Sequence, residues 1–174
     1  MTVTLDDIRA AAERIRGHVV ETPLVRDEAL SARLGQPIWL KCEYRQTTGA
    51  FKLRGATNAI LSLPPEALAR GVVTASTGNH GRALAHAARA AGLRAVVCMS
   101  RLVPENKRRA VQALGAEARI IGDSQDAAGI EAERLARDEG LALIPPFDHA
   151  DVIAGQATLG LEMAEDVPDA ACVL

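Results

Sequence analysis

Four short apolar runs, at residues 72–75, 94–99, 118–121 and 141–144, recur through the second half of this chain, and each is separated from the next by a stretch of helix length. Gly92, Gly115 and Gly140 fall where each of those stretches hands over to the following run, and Pro104 stands where proline suits the first turn of a helix. Alternation of this kind admits few folds. Parallel strands need long crossovers, and right-handed strand-helix-strand units stack into a parallel sheet covered by helices. An α/β fold is therefore expected, with Pro145 and Pro146 closing the unit.

The first third follows another pattern. Thr4 and Asp7 form a capping pair ahead of Leu5, Ile8, Ala12 and Ile15, which share one helical face before Gly17 ends the segment. Thr22-Pro23 breaks the backbone, residues 27–34 predict a short helix stopped by Gly35, and residues 38–41 predict a strand. A helix is expected over 151–165, returning toward the first part of the chain. Residues 170–174 read as the start of a final strand.

Composition removes several functions. At 174 residues the chain can bury one substantial core, and its formal charge of −2 offers no basic field for nucleic acid or an anionic membrane. The aromatic residues are Trp39, Tyr44, Phe51 and Phe147, too few for a base-stacking platform. Cys42, Cys98 and Cys172 are odd in number and far apart, which argues against a disulfide framework or a structural zinc site and fits a reducing cytoplasm. The N-terminal residues carry no export-signal pattern, and no apolar run is long enough to span a bilayer. Asp123, Asp126, Glu131 and Glu133 fall along an expected amphipathic helix and read as its solvated face, so no metal site is expected. His18, His86 and His149 read as structural or surface residues.

Two segments carry chemistry. In Thr48-Gly49-Ala50-Phe51-Lys52-Leu53-Arg54-Gly55-Ala56, the small residues let a flat molecule approach the backbone, while Phe51 and Leu53 can desolvate the Lys52 amine. Desolvation favours the neutral amine that imine formation requires. In Ser76-Thr77-Gly78-Asn79-His80-Gly81, hydroxyls and backbone N–H groups gather between an expected strand and an expected helix, which makes an anion site or a plain capping turn. Such a turn lies at the carboxyl end of a strand, where open α/β sheets bind ligands.

Together the segments resemble the T-G-[SA]-F-K-x-R-G-A and S-x-G-N-H-G patterns of the serine/threonine dehydratase branch of fold-type II pyridoxal-phosphate enzymes. The resemblance runs from Thr22-Pro23-Leu24 through Lys41-Cys42-Glu43 to Val152-Ile153-Ala154-Gly155-Gln156-Ala157-Thr158. Around Cys98-Met99-Ser100 and Pro104-Glu105-Asn106-Lys107 it is similar to the hydroxyectoine-utilisation dehydratases.

This resemblance implies a two-lobed, tryptophan synthase beta-like fold. Residues 1–65 and 149–174 would form a large, incomplete cofactor-binding lobe, and residues 66–148 a small inserted α/β lobe. It implies pyridoxal 5'-phosphate as cofactor, held by Phe51, Lys52 and Asn79, with Lys52 forming the Schiff base and removing the substrate Cα proton. Ser76, Thr77, Gly78 and His80 would receive the carboxylate of an amino-acid substrate. Threonine or serine would lose its β-hydroxyl and amino group, giving a 2-oxo acid and ammonia. The Thr77 hydroxyl stands where serine racemases carry a proton-handling serine, so Thr77 is a second catalytic candidate and racemisation an alternative outcome. The glycine-rich phosphate loop of such enzymes would lie beyond Leu174, which is expected to make the chain part of a longer homodimeric enzyme. A catalytically incompetent binding or assembly module is the competing expectation. Arg54 is left open between a structural and a pocket-shaping role.

Overall fold

The computed structural model describes residues 2–174. Helix α1 spans Leu5–Ile15, and Thr4 and Asp7 close the expected capping box: each side chain accepts the other residue's backbone N–H, at 2.8 Å for Thr4 and 3.3 Å for Asp7. Ala11 and Ile15 turn the apolar face inward. Strand β1, Leu24–Arg26, pairs antiparallel with β2, Trp39–Lys41, so that Leu24 faces Lys41 and Arg26 faces Trp39. Helix α2, Glu28–Leu34, joins them, capped by Asp27 and stopped by Gly35 in the left-handed region at φ +67°. The β1 strand, directly after the Thr22-Pro23 break, is absent from the sequence-based expectation.

Helices α3, Lys52–Ser62, and α4, Pro65–Leu68, lead into the main sheet. Its strands are β3, Val72–Ala75, β4, Ala95–Met99, β5, Glu117–Ile120, and β6, Ala142–Leu143. All pair in parallel in the spatial order β5-β4-β3-β6. The connecting helices are α5, Asn79–Ala90, α6, Glu105–Gln112, and α7, Gln125–Glu139. Side chains divide by the strand period of two: Val72, Val97 and Met99 join α5 and α6 in one core, while Val73, Val96 and Cys98 join α7 in another. Both faces of β3 and β4 are thus covered, which is why these strands read as continuous apolar runs rather than as alternation.

The order of strands reverses at β3. The chain moves outward from β3 to β4 and β5, then crosses back through α7 to place β6 on the other side of β3. In open α/β sheets the ligand crevice lies at the carboxyl ends of the two strands that flank such a reversal, which here are β3 and β6.

Helix α8, Ala150–Asp166, returns over α3 as expected. The two helices meet at glycines: a Cβ on Gly155 would lie 2.7 Å from the Gly55 Cα and from the Arg54 carbonyl oxygen. Asn58 fixes the pair by donating to the Asp151 carbonyl oxygen at 2.7 Å, while Arg14 of α1 donates to Asn58 at 2.6 Å. Residues 170–174, expected as a strand, have no regular structure. A strand exists through pairing, and no strand edge lies beside them among the described residues.

Candidate active site

Lys52 opens α3, immediately after a turn in which Gly49 takes φ +73°, a conformation that favours glycine. Its ammonium donates to the Pro146 carbonyl oxygen at 2.7 Å and lies 5.2 Å from the centre of the Phe51 ring. Among the described residues it has no carboxylate partner. Burial alone depresses its pKa, as the flanking Phe51 and Leu53 led us to expect. Leu53 and Ala56 pack on Ala83, which brings the first turn of α3 against the first turn of α5.

The 76–81 turn links β3 to α5. Ser76 is buried, and its Oγ accepts the N–H groups of Gly78 at 3.2 Å and Gly81 at 2.8 Å, so that side chain shapes the turn from beneath. The N–H groups of Thr77, Asn79 and His80 have no acceptor among the described residues. Free donors at the start of a twelve-residue helix form an anion-accepting cradle. Thr77 and Asn79 are exposed on its rim, with Gly78 half-buried between them. Gly81 is fixed by space, because a Cβ there would lie 2.6 Å from Val97.

His80 points elsewhere. Its ring is 3% exposed and its Nε2 lies 3.1 Å from the Ile144 carbonyl oxygen, just past β6. A carbonyl only accepts, so Nε2 carries the proton and Nδ1 is left as a buried acceptor without a partner. Burial, together with the nearby Lys52 charge, lowers the His80 pKa to about 4, although the Ile144 contact works against the shift. Lys52 and His80 therefore both anchor on the 144–146 segment, a link between the two motifs that their spacing does not reveal.

This burial makes His80 a pH-sensitive strut. As pH falls from about 6.5 to about 4, the unfolded chain takes up the proton that the folded ring refuses. Stability is full above that window, and about 3 kcal/mol is lost across it. Urea unfolding at a series of pH values should show this slope in the wild type and a flatter one in His80→Gln. Equal slopes would place the titration elsewhere.

Sequence reasoning left Arg54 open, and the structure settles its surroundings. The guanidinium is fully buried and clamped by two carboxylates: it donates to Glu43 at 2.8 and 3.1 Å, and to both oxygens of Glu162. Lys41 completes the cluster, donating to Glu162 at 2.7 Å. Burial works against the charge on Arg54, but the hydrogen bonds it donates to Glu43 and Glu162 outweigh it and push the pKa up. Glu43, which burial alone would push up, is held low by its hydrogen bonds to Arg54 and Thr22. Of the four acids read as one helical face, Asp126 and Glu133 are exposed on α7, whereas Asp123 precedes the helix and pairs with Arg101, and Glu131 is half-buried between Arg119 and Arg134. Among the described residues no helix is long and apolar enough to cross a membrane.

A doubly wound sheet with a donor-lined turn at the carboxyl end of β3, and a half-buried lysine amine at the start of α3, define an α/β protein. Residues 15–174 match the family described as "Pyridoxal-phosphate dependent enzyme", and the chain belongs to that family. It is 57% identical over 172 residues to a Sinorhizobium fredii protein named "Putative threonine dehydratase", covering 99% of this chain and 52% of the relative. It is 42% identical over 167 residues to an L-threonine ammonia-lyase of Geobacter sulfurreducens, covering 96% of this chain and 42% of that protein. The structure of maize serine racemase superposes with a TM-score of 0.93 at 36% identity, over 97% of this chain and 51% of the racemase. The chain spans about half the length of the curated relatives it matches.

Proposed function

We propose that this chain supplies the lysine and carboxylate-binding parts of a pyridoxal-phosphate-dependent ammonia-lyase that converts a β-hydroxy amino acid such as threonine or serine into a 2-oxo acid and ammonia. The observation that carries this reading is a desolvated amine without a carboxylate partner, packed beside a turn whose N–H groups are free. The relatives named for threonine deamination supply the substrate class.

The residues fit the cofactor. Lys52 offers an amine to an aldehyde, Phe51 offers an apolar wall, and the exposed Asn79 amide can donate to a ring hydroxyl. When bound, pyridoxal phosphate supplies the electron sink that stabilises charge at the substrate Cα. Lys52, once neutral and free, takes the Cα proton, and burial sets its basicity for that task. Thr77, Asn79 and His80 hold the substrate carboxylate through backbone N–H groups, with Gly78 leaving room for it and Ser76 keeping the turn in shape. His80 contributes its backbone, since its ring is committed to Ile144.

Residues 1–65 and 149–174 would belong to a larger lobe and residues 66–148 to a smaller one, in a cytoplasmic homodimer. A racemase is the second reading, favoured by the exposed Thr77 hydroxyl and by the likeness to maize serine racemase. The protein supplied with pyridoxal phosphate and L-threonine should release 2-oxobutanoate and ammonia in equal amounts. Accumulation of D-allo-threonine instead, the product of inversion at Cα alone, would identify a racemase, and release of neither product would overturn the lyase reading.

A further inference from the structure

The chain has three lysines, and their surroundings differ sharply. Lys41 is locked onto Glu162, Lys52 lies against Pro146, and Lys107 crosses the 76–81 turn. A Cβ on Gly78 would lie 3.1 Å from Lys107 Nζ, 3.2 Å from its Cδ and 3.4 Å from its Cε, so the whole end of the side chain rests on that glycine. No carboxylate of the described residues pairs with it. The nearest acid along its own helix, Glu105, is engaged with Arg109 at 2.5 Å.

This is an unfavourable place for an unanswered cation. Lys107 stands in the first turn of α6, and its ammonium reaches the first turn of α5, so one positive charge meets the positive ends of two helices. Acidic residues are the ones that gain stability at such positions. The same spot carries the free N–H groups of Thr77, Asn79 and His80. Donors and charges of one sign converge there, and the protein supplies no anion to match them.

We propose that Lys107 is a substrate-positioning residue, whose ammonium shares the α-carboxylate of the amino-acid substrate with the backbone N–H groups of the 76–81 turn. The proposal rests on the lyase reading above and extends it to a residue from a different strand-helix unit. Because α6 follows β4 while the turn follows β3, the carboxylate would bridge neighbouring units at the mouth of the crevice. Gly78 has a second role on this view: it gives the ammonium room to reach the cradle.

The test is titration of the chain with L-threonine, followed through the backbone amide resonances of Thr77, Gly78 and Asn79, in wild type, Lys107→Gln and Lys107→Arg. Lys107 is exposed, so the substitutions leave the core untouched. A saturable shift is expected in wild type, with a dissociation constant about tenfold weaker in Lys107→Gln, the size expected for one charged hydrogen bond, and largely recovered in Lys107→Arg. Threoninol, which has the same side chain and amine but no carboxylate, should produce no such shift. Equal affinity in wild type and Lys107→Gln, equal response to threoninol, or no saturable shift in wild type would each overturn the proposal. The parent reading is scored separately by attachment of pyridoxal phosphate to Lys52: attachment with unchanged Lys107→Gln affinity removes only the role of Lys107, whereas failure of attachment removes the lyase reading itself.

Discussion

Lys52→Ala is expected to lower the rate of 2-oxo acid formation from L-threonine by at least about a thousandfold, the scale seen when a residue that forms the covalent link in catalysis is removed. The expectation rests on position as much as on residue type. Lys41 cannot substitute, because its ammonium is held by Glu162 and by the Thr22 carbonyl oxygen, each at 2.7 Å. Lys107, on α6, rests against Gly78 and takes the carboxylate role proposed above. Only Lys52 combines a hydrogen bond to a neutral carbonyl with a burial-depressed pKa, so deprotonation breaks no ion pair. Folding should be little changed, since alanine suits a first helical turn and the lost contact is a single half-buried hydrogen bond. Urea midpoints within about 1 kcal/mol of wild type would confirm that activity was lost through chemistry. A variant retaining a tenth or more of the activity would show that another group does this work.

Arg54→Met should be strongly destabilising, costing about 3–5 kcal/mol in urea unfolding. Removing the guanidinium leaves Glu43 and Glu162 facing each other in the interior with Lys41 as their remaining cation. Two buried carboxylates sharing one ammonium must either repel or take up a proton. Arg54→Lys should rescue little, because one ammonium cannot reproduce the forked contacts to both acids, to the Thr158 hydroxyl at 3.2 Å and to the Val20 carbonyl oxygen at 3.4 Å. Adding Glu43→Gln and Glu162→Gln to Arg54→Met should recover part of the loss. If Arg54→Met costs less than about 1 kcal/mol, the cluster is wet and the ties among α3, α8 and the segment around Glu43 rest on packing alone.

The same cluster shows where the sequence stops being legible. Arg54 sits two residues from Lys52 in one continuous motif, yet its partners come from residues 20, 43, 158 and 162, and no local pattern encodes such a gathering. Lys107 is hidden for a similar reason, because its approach to Gly78 depends on how two neighbouring crossovers are wound. The strand-helix alternation, by contrast, was readable because β3 and β4 are buried on both faces and each boundary carries a glycine or proline with a geometric duty. Gly92, Gly115 and Gly140 all take positive φ at those boundaries. Capping at Thr4 and Asp7 was readable because it involves groups only three residues apart. Residues 170–174 misled because apolar character suggests a strand, whereas pairing makes one.

For the candidate site, the motif placed the 76–81 turn correctly between a strand and a helix, but it could not distribute labour within the turn. Ser76 and His80 share its letters with Thr77 and Asn79, yet the structure turns the first two inward, to the helix start and to Ile144, and leaves the other two exposed. Burial makes that division, and for His80 the covering segment, around Ile144, lies some sixty residues further along the chain.

The central claim is that Lys52 carries the cofactor. Its most direct test is the visible absorption of the purified chain after addition of pyridoxal phosphate and removal of the excess, with Lys52→Ala measured beside it. A band in the wild type that is absent from Lys52→Ala is the predicted result. A band of equal strength in both would assign the attachment to Lys41, Lys107 or the N-terminus, and a band in neither would show that this amine and this crevice do not hold the cofactor; either result contradicts the account.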